Sequence, residues 1–500
     1  MFDKIRQLGS DTAVYGVSTI LGRFLTFILT PIYTHILRPD DLGIVATVYA
    51  YIAVMNVVYG YGMESAYMKY CSTLELGSRK QVFSVPFLSV GITSFLFSLV
   101  LFLLGRPVAA ITAIPEGYES LVSYSAAILF LDGIAVVPFA ALRMASKAKL
   151  FASIKMAGIT INVGANLILL FGLRMGVEGI FISNVISSGA TLLMLLPSIV
   201  RQLEFSWNRE LYRSLLKFGL PYVPAGLASM MIQVINRPIL EALKDRSAVG
   251  IFQANYRLGI FMMLIVSMYD FAWRPFFLSH AADPDAKKLF ARILTYFVLI
   301  GTGIFLLLSF FLEDLVRVPI FWGHPMVAAP YWSGLNIVPT VLLAYLFLGI
   351  YNNLIAGIYI EKKTQYLPIV TITGAVVNIA ALYLLIPRYD LMGAAVATLV
   401  SYLVMAAMLY FIVQRFYYVS YEFGRIAKIA VATAAVYILY LALPVETFRI
   451  AWKCALLAFF LLLMYLLKFF DPAEMKILKR LFRRGSKEVP PLAGTPDDTA

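Results

Sequence analysis

The sequence predicts an all-α polytopic membrane protein of about 14 transmembrane helices. They form two parallel six-helix repeats, one per lobe, plus two extra C-terminal helices. Three observations predict this. Hydrophobic residues make up 61% of the 500, charged ones only 14%, and the mean hydropathy is +0.83; a soluble chain is about a quarter charged. Apolar runs of about 20 residues recur, each long enough to cross ~30 Å of hydrocarbon. The pattern of runs also returns at half the chain length. The stretch 12–43 comes back within 226–250, with Pro31 on Pro238 and Gly43 on Gly250. Residues 124–162 align with 340–378 at a constant offset of 216, setting Gly133 on Gly349, Lys147 on Lys363, Gly158 on Gly374 and Asn162 on Asn378. Further on, Arg174 and Gly179 match Arg388 and Gly393.

Runs bounded by charges, Pro and Gly place the spans at 12–36, 42–66, 82–104, 119–142, 150–173, 177–200, 216–242, 247–272, 289–312, 332–357, 366–386, 392–414, 426–443 and 448–469. The domains that follow are an N-terminal lobe at 1–205, a C-terminal lobe at 206–416, spans 13 and 14 at 417–470, and a basic tail at 471–500 whose Pro- and Asp-rich end is expected to be disordered. The first helix lacks a small-residue cleavage site and is expected to stay.

The net charge of +13 follows from the positive-inside rule rather than from nucleic-acid binding. With the N-terminus inside, the inner segments take about 29 of the 41 basic residues, among them Arg79, Lys147, Arg201, Lys287 and Lys363. Both termini are therefore expected in the cytosol, with the chain in the cytoplasmic (inner) membrane. The basic tail is expected on anionic headgroups of membrane lipids. It lacks the interleaved aromatics of a nucleic-acid site.

Charges inside the membrane are costly and are functional candidates by default. Arg23 lies near the middle of span 1, Arg237 in the outer part of span 7, and Arg257 about ten residues into span 8. All three are candidate substrate-binding cations. The structural alternatives are an ion pair for Arg23, a buried acid partner for Arg257 and snorkelling to the interface for Arg237. Glu64 and Asp270 hold equivalent places near the inner ends of spans 2 and 8. They could clamp an inward-closed state through basic partners such as Lys69 and Arg274, or be plain interfacial residues. Asp132 sits midway along span 4, and its repeat mate is Leu348. It is either a proton or sodium site or the counter-ion of an arginine. Asn162 and Asn378, being repeat mates, read as packing residues.

Other signals exclude chemistry. The triplet Asp283-Pro284-Asp285 matches the metal-holding pattern of some glycosyltransferases but has no strand–helix context. His35, His280 and His324 make no zinc spacing, and Cys71 and Cys454 imply neither a disulfide nor a metal. No phosphate loop or nucleophile elbow is present. No cofactor, no catalytic residue and no metal is expected, and the chain is read as a non-enzyme.

Several short motifs carry a family resemblance: STILGR at 18–23, ILRPDDLG at 36–43, GMES at 62–65, AVGIF at 248–252, AWRPF at 272–276 and NIAALYLLIPRYDLMG at 378–393. Together, in this order and spacing, they resemble the polysaccharide-transporter branch of the MOP superfamily, the O-antigen and lipid-linked oligosaccharide flippases. The resemblance implies two lobes around a central cationic cavity that opens alternately to either side. The implied cargo is a polyprenyl-diphosphate-linked glycan of cell-surface or lipopolysaccharide synthesis, with glycosyltransferase or polymerase partners nearby. The Arg–Asp pair of the lipid II flippases is missing, which sets lipid II aside as cargo. Asn236 stands before Arg237 where an acid often precedes the basic residue. The competing classes are a MATE-like cation or drug antiporter, which would want an acid-rich interior, and a membrane glycosyltransferase or polymerase.

Overall fold

The computed structural model describes residues 21–22, 24–25, 27–321, 323–443 and 448–471. Arg23, the basic tail beyond 471 and the first 20 residues lie outside them, and so do the expectations placed there.

The described chain is almost wholly helical. Eleven of its helices are long and apolar enough to cross a membrane, twelve if the pair Arg209–Gly219 and Tyr222–Val234, bent by 41°, forms one span. The count agrees with 14 spans once two features are resolved. The helix Tyr366–Gln414 has 49 residues, about 74 Å at the helical rise and hence two membrane thicknesses. Its backbone breaks at Asp390, which takes φ 51°, and spans 11 and 12 lie either side of that break. Phe27–Ile36, a shorter apolar helix, is the continuous described part of span 1.

The other spans follow in order. Span 2 is Pro39–Thr73, turning at Tyr61 and Gly62; span 3 is Arg79–Leu103; span 4 is Ser120–Met144; span 5 is Ala148–Gly172, ending in a π turn. Span 6 is Gly176–Gln202. Span 7 runs from Arg209–Gly219 through Tyr222–Val234 to Asn236–Leu243, and span 8 joins Arg246–Leu258 to Ile260–His280. Spans 9 and 10 are Ala286–Arg317 and Ala329–Ile360, and spans 13 and 14 are Phe423–Ala442 and Arg449–Leu466. The bend in span 7 falls at Pro221, where the ring removes a backbone donor and a helix can yield.

Two compact units result: Met1–Phe290 with Phe311–Ser420, and Ala291–Phe310 with Tyr421–Ala500. In the second, Phe310 packs its ring on Tyr437 and Tyr440, and Arg292 and Arg425 both pair with Glu422 and Asp471.

The first unit holds spans 1–8 and 10–12, and its packing repeats. Ser187 on span 6 donates to the Gly158 carbonyl on span 5, and Ser401 on span 12 donates to the Gly374 carbonyl on span 11, each at 2.8 Å. A side chain on Gly158 would strike Thr191, and one on Gly374 would strike Met405. At the offset of 214 that relates Gly179 to Gly393, Ser187 corresponds to Ser401 and Thr191 to Met405. The same glycine and serine thus hold the same helix pair together in both halves.

Spans 2 and 8 cross with their backbones almost touching. Any side chain on Gly43 would collide with the Arg246 carbonyl oxygen, and any on Gly250 with that of Pro39. Nearby, Thr47 Oγ1 donates to Glu241 at 2.6 Å, and Arg246 donates to both Glu241 and the Ala113 carbonyl. The Tyr331 hydroxyl donates to the Leu37 carbonyl at 2.9 Å. These contacts tie spans 1, 2, 7 and 8 to the segments that lead into spans 4 and 10.

Candidate functional site

Arg237 and Arg257 lie on spans 7 and 8, both half-buried. Arg237 Nε donates to Gln253 Oε1 at 2.7 Å, one of its terminal nitrogens donates to the Gln233 carbonyl at 3.0 Å, and its guanidinium faces the Tyr256 ring at 5.9 Å. Arg257, one turn along from Gln253, faces the Tyr33 ring of span 1 at 5.8 Å. The two guanidinium groups are close enough to repel one another. Among the described residues neither has a carboxylate within 4.0 Å. Two like charges are thus held in the protein interior by neutral dipoles and aromatic faces, which relieve part of the desolvation cost without cancelling the charge.

Polar groups from the first half face Arg257. The Tyr33 hydroxyl donates to Asn166 Oδ1 at 2.9 Å, and Asn166 in turn donates to the Asn162 carbonyl. Tyr49 stacks on Phe181 with centroids 4.9 Å apart and accepts from Asn184 Nδ2 at 3.1 Å. Both tyrosines lie within electrostatic reach of Arg257. The hydrogen bonds fix ring positions on spans 1 and 2 against spans 5 and 6.

A second charged group lies wholly in the first half. Asp132 accepts from Ser188 Oγ at 2.7 Å. It shares a cavity of about 590 Å³ with Lys155, Glu64, Arg143, Asn56 and Asn184. The cation facing Asp132 is Lys155 of span 5, which also sits over the Phe139 ring at 4.3 Å. Of the two readings of Asp132, the arginine ion pair is not formed among the described residues: no cation lies within 4.0 Å of the carboxylate, and Lys155 acts on it from farther off. Glu64 pairs with Arg143 of span 4, and Arg143 lies 6.0 Å from the Phe151 ring centroid. Lys69, the partner expected for Glu64, lies instead over the rings of Tyr70 and Phe218, at 5.0 and 4.5 Å. Asp270 pairs with Arg274, one turn along the same helix, at 3.1 Å.

The structure therefore brings Arg237 and Arg257 together and sets Asp132 and Glu64 in one cavity, and Asn184, which lines that cavity, donates to Tyr49 beside Arg257; Asp270 and Arg274 do not line that cavity. Sequence reasoning missed Lys155, although a charge about six residues inside predicted span 5 was a usable signal. It also missed Tyr33, Tyr49 and Gln253, which carry no signal of their own among 30 tyrosines and a polar-dotted helix. Among the described residues no group of three or more His, Cys, Asp and Glu is placed to hold a metal. Asp285 of the DxD triplet pairs with Lys288 at 3.2 Å.

The model of one family, described as polysaccharide biosynthesis protein, matches residues 32–324, more than half of the chain. The chain belongs to that family. The match covers all of spans 2 to 9, including Asp132, Lys155, Arg237 and Arg257. No curated protein sequence matches the chain. Among solved structures it is similar to the lipid II flippase MurJ in an inward closed conformation, with 15% identity, 94% of this chain and 100% of that chain covered, and a TM-score of 0.71. It is also similar to an inward-facing multidrug resistance MATE family transporter of the MOP superfamily, with 14% identity, 79% and 94% coverage and a TM-score of 0.64. A third is a MOP superfamily transporter from Pyrococcus furiosus whose binding pocket is described as reversed in polarity, at 14% identity, 81% and 95% coverage and a TM-score of 0.60. The polysaccharide biosynthesis chain thus has the MOP transporter fold. It is a multi-pass membrane protein, and its neighbours in fold are transporters.

Proposed function

We propose that this chain is a flippase that moves a polyprenyl-diphosphate-linked oligosaccharide across the cytoplasmic membrane by alternating access, for O-antigen or related cell-surface polysaccharide. The observation that carries it is the pair of interior arginines, Arg237 and Arg257, without a neighbouring carboxylate among the described residues. A diphosphate carries about two negative charges and binds best to fixed cations away from bulk water. The planar guanidinium presents two parallel donors to phosphate oxygens. Tyr33, Tyr49 and Tyr256 add hydroxyls and ring faces suited to sugars. Arg23, four positions before Phe27 in the sequence, belongs to the same proposal. The two lobes would be spans 1–6 and 7–12, rocking about the crossing of spans 2 and 8, with both termini in the cytosol.

The Asp132–Lys155 cavity is the proposed ion-coupling element, and the Glu64–Arg143 and Asp270–Arg274 pairs are gating elements at the basic end. The decisive test is glycan export in a strain lacking this gene, complemented with Arg257→Ala, Arg237→Ala and the double variant, each checked for protein level in the membrane. Loss of export at normal level is expected. Full export by the double variant would sink the anionic-cargo reading. The MATE-like reading draws on Asp132, an interior acid that could hold a cation; efflux of a cationic dye from liposomes by purified protein would favour it. Sugar incorporation in vitro, abolished by changing Asp283 and Asp285, would favour a glycosyltransferase.

A further inference from the structure

At the basic end of the first half, spans 2, 3, 4, 5 and 6 enclose a cavity of about 700 Å³ that the transport reading does not use. Arg79 from the start of span 3, Lys147 from the turn between spans 4 and 5, and Arg201 from the end of span 6 line it, and no Asp or Glu does. All three cations are exposed, and none has a carboxylate within 4.0 Å among the described residues. Deeper in, the walls are apolar: Leu142, Ile154, Met194 and Pro197. Gln202, also in the wall, folds back to donate to the Ser198 carbonyl at 3.2 Å. Ser84 fixes the chain beside it, donating to the Gln202 carbonyl and accepting from the Glu204 amide.

The second half shows what a filled version looks like. Lys147 and Arg201 correspond to Lys363 and Arg415, while Gln202 and Leu203 correspond to Phe416 and Tyr417. There Lys363 sits over the Phe416 ring at 4.5 Å, and Lys287 sits over the Tyr417 ring at 5.0 Å. Tyr417 also fills the space beside Gly357, whose mate Ala141 lines the open cavity. Two cations of the second half, Lys287 and Lys363, therefore have aromatic faces of their own, whereas Arg79, Lys147 and Arg201 of the first half line an open cleft.

We infer that this cleft binds the phosphate headgroup of an anionic phospholipid. Three convergent cations match a phosphodiester, and the apolar walls beneath match the glycerol and first methylenes of an acyl chain, a combination that free phosphate does not use. The site lies where helix ends meet the headgroup layer, so its occupant arrives laterally from the bilayer. The inference does not depend on the cargo.

The test uses the full chain purified in detergent, with bound lipid counted by native mass spectrometry during titration with phosphatidylglycerol. One tightly held phosphatidylglycerol is expected, with its affinity about tenfold weaker in Arg201→Gln and weaker again when Arg79→Gln and Lys147→Gln are added. The matching set Lys287→Gln, Lys363→Gln and Arg415→Gln is expected to keep it. Monodisperse size-exclusion profiles establish that each variant is folded, and Arg201→Gln alone decides the question if the triple variant is not. Equal retention of phosphatidylcholine, unchanged affinity in Arg201→Gln, or displacement by millimolar inorganic phosphate would each overturn the assignment.

Discussion

The two halves of the first unit share a frame and differ in charge. Gly158, Ser187 and Thr191 in one, and Gly374, Ser401 and Met405 in the other, make the same helix contact. Within that frame the first half carries Asp132 midway along span 4 and Lys155 in the first third of span 5, whose mates are Leu348 and Thr371. The second half carries Arg237 and Arg257; the mate of Arg237 is Thr30, a small buried hydroxyl. Packing sets the fold and tolerates little change, so duplication preserves it. Charge inside a membrane costs free energy and is kept where it does something, so it need not be copied. The proposed division of tasks, ion coupling by the half with interior charges of both signs and anion binding by the half with interior arginines alone, follows from that difference.

The largest expected effect tests the second half. Arg257→Ala is expected to lower transport of a diphosphate-linked glycan by about 30-fold or more, the cost of about 2 kcal/mol or more for losing one partner of a buried charged contact. Arg257→Lys keeps the charge but not the fork, and should recover part of it. Reconstituted flipping assays read both. The halves would be less distinct than argued if Asp132→Ala and Arg257→Ala proved equal in their effect on cargo affinity.

Next comes the frame itself. Gly250→Val places a branched side chain against the Pro39 carbonyl, and an overpacked contact costs about 1–3 kcal/mol. A lower melting temperature is expected, and labelling of a cysteine placed near Thr47 should rise as the crossing loosens. Gly43→Val should act alike, because it meets the Arg246 carbonyl in the same way. Unequal responses would count against a symmetric crossing.

A third measurement sharpens the picture of the first half. Asp132→Asn leaves Lys155 facing a neutral group, and Lys155→Met leaves Asp132 with Ser188 alone. Each single change should destabilise more than the double, with a coupling of about 1–3 kcal/mol in a double-mutant cycle read by thermal unfolding in detergent. Additive effects would mean the two charges do not sense each other. The smallest effect is expected at Asp270→Asn. It breaks a one-turn ion pair whose arginine is 51% exposed, and about 0.5 kcal/mol or less should be seen.

Most of the architecture was legible in the sequence, because apolar length and repeat spacing are local properties. The 14 spans and the offset of 216 could be read directly. Contacts between distant residues could not. Glu64 and Arg143 are 79 positions apart, and nothing in GMES or in LRM names the other. Tyr33 and Asn166 are separated by 133 residues, and their hydrogen bond exists only because span 1 packs on span 5. Lys69 reads as a charge seeking an acid, yet ring faces next to it serve a cation at an interface nearly as well. Asp390 was legible as part of a loop between spans 11 and 12, but not as the single residue that turns one long helix into two.

The crossing of spans 2 and 8 has a consequence for how such a chain arises. Gly43 meets Arg246, and Gly250 meets Pro39. At the offset of 207 that maps Gly43 onto Gly250, Pro39 maps onto Arg246. The contact is reciprocal: residue i touches the mate of j, and j touches the mate of i. That is the signature of an isologous interface between two identical subunits. The geometry is that of a homodimer joined end to end into one polypeptide. In a homodimer every substitution at such a seam strikes both sides of the axis at once. In one polypeptide the two sides can differ, as Pro39 and Arg246 do at this crossing.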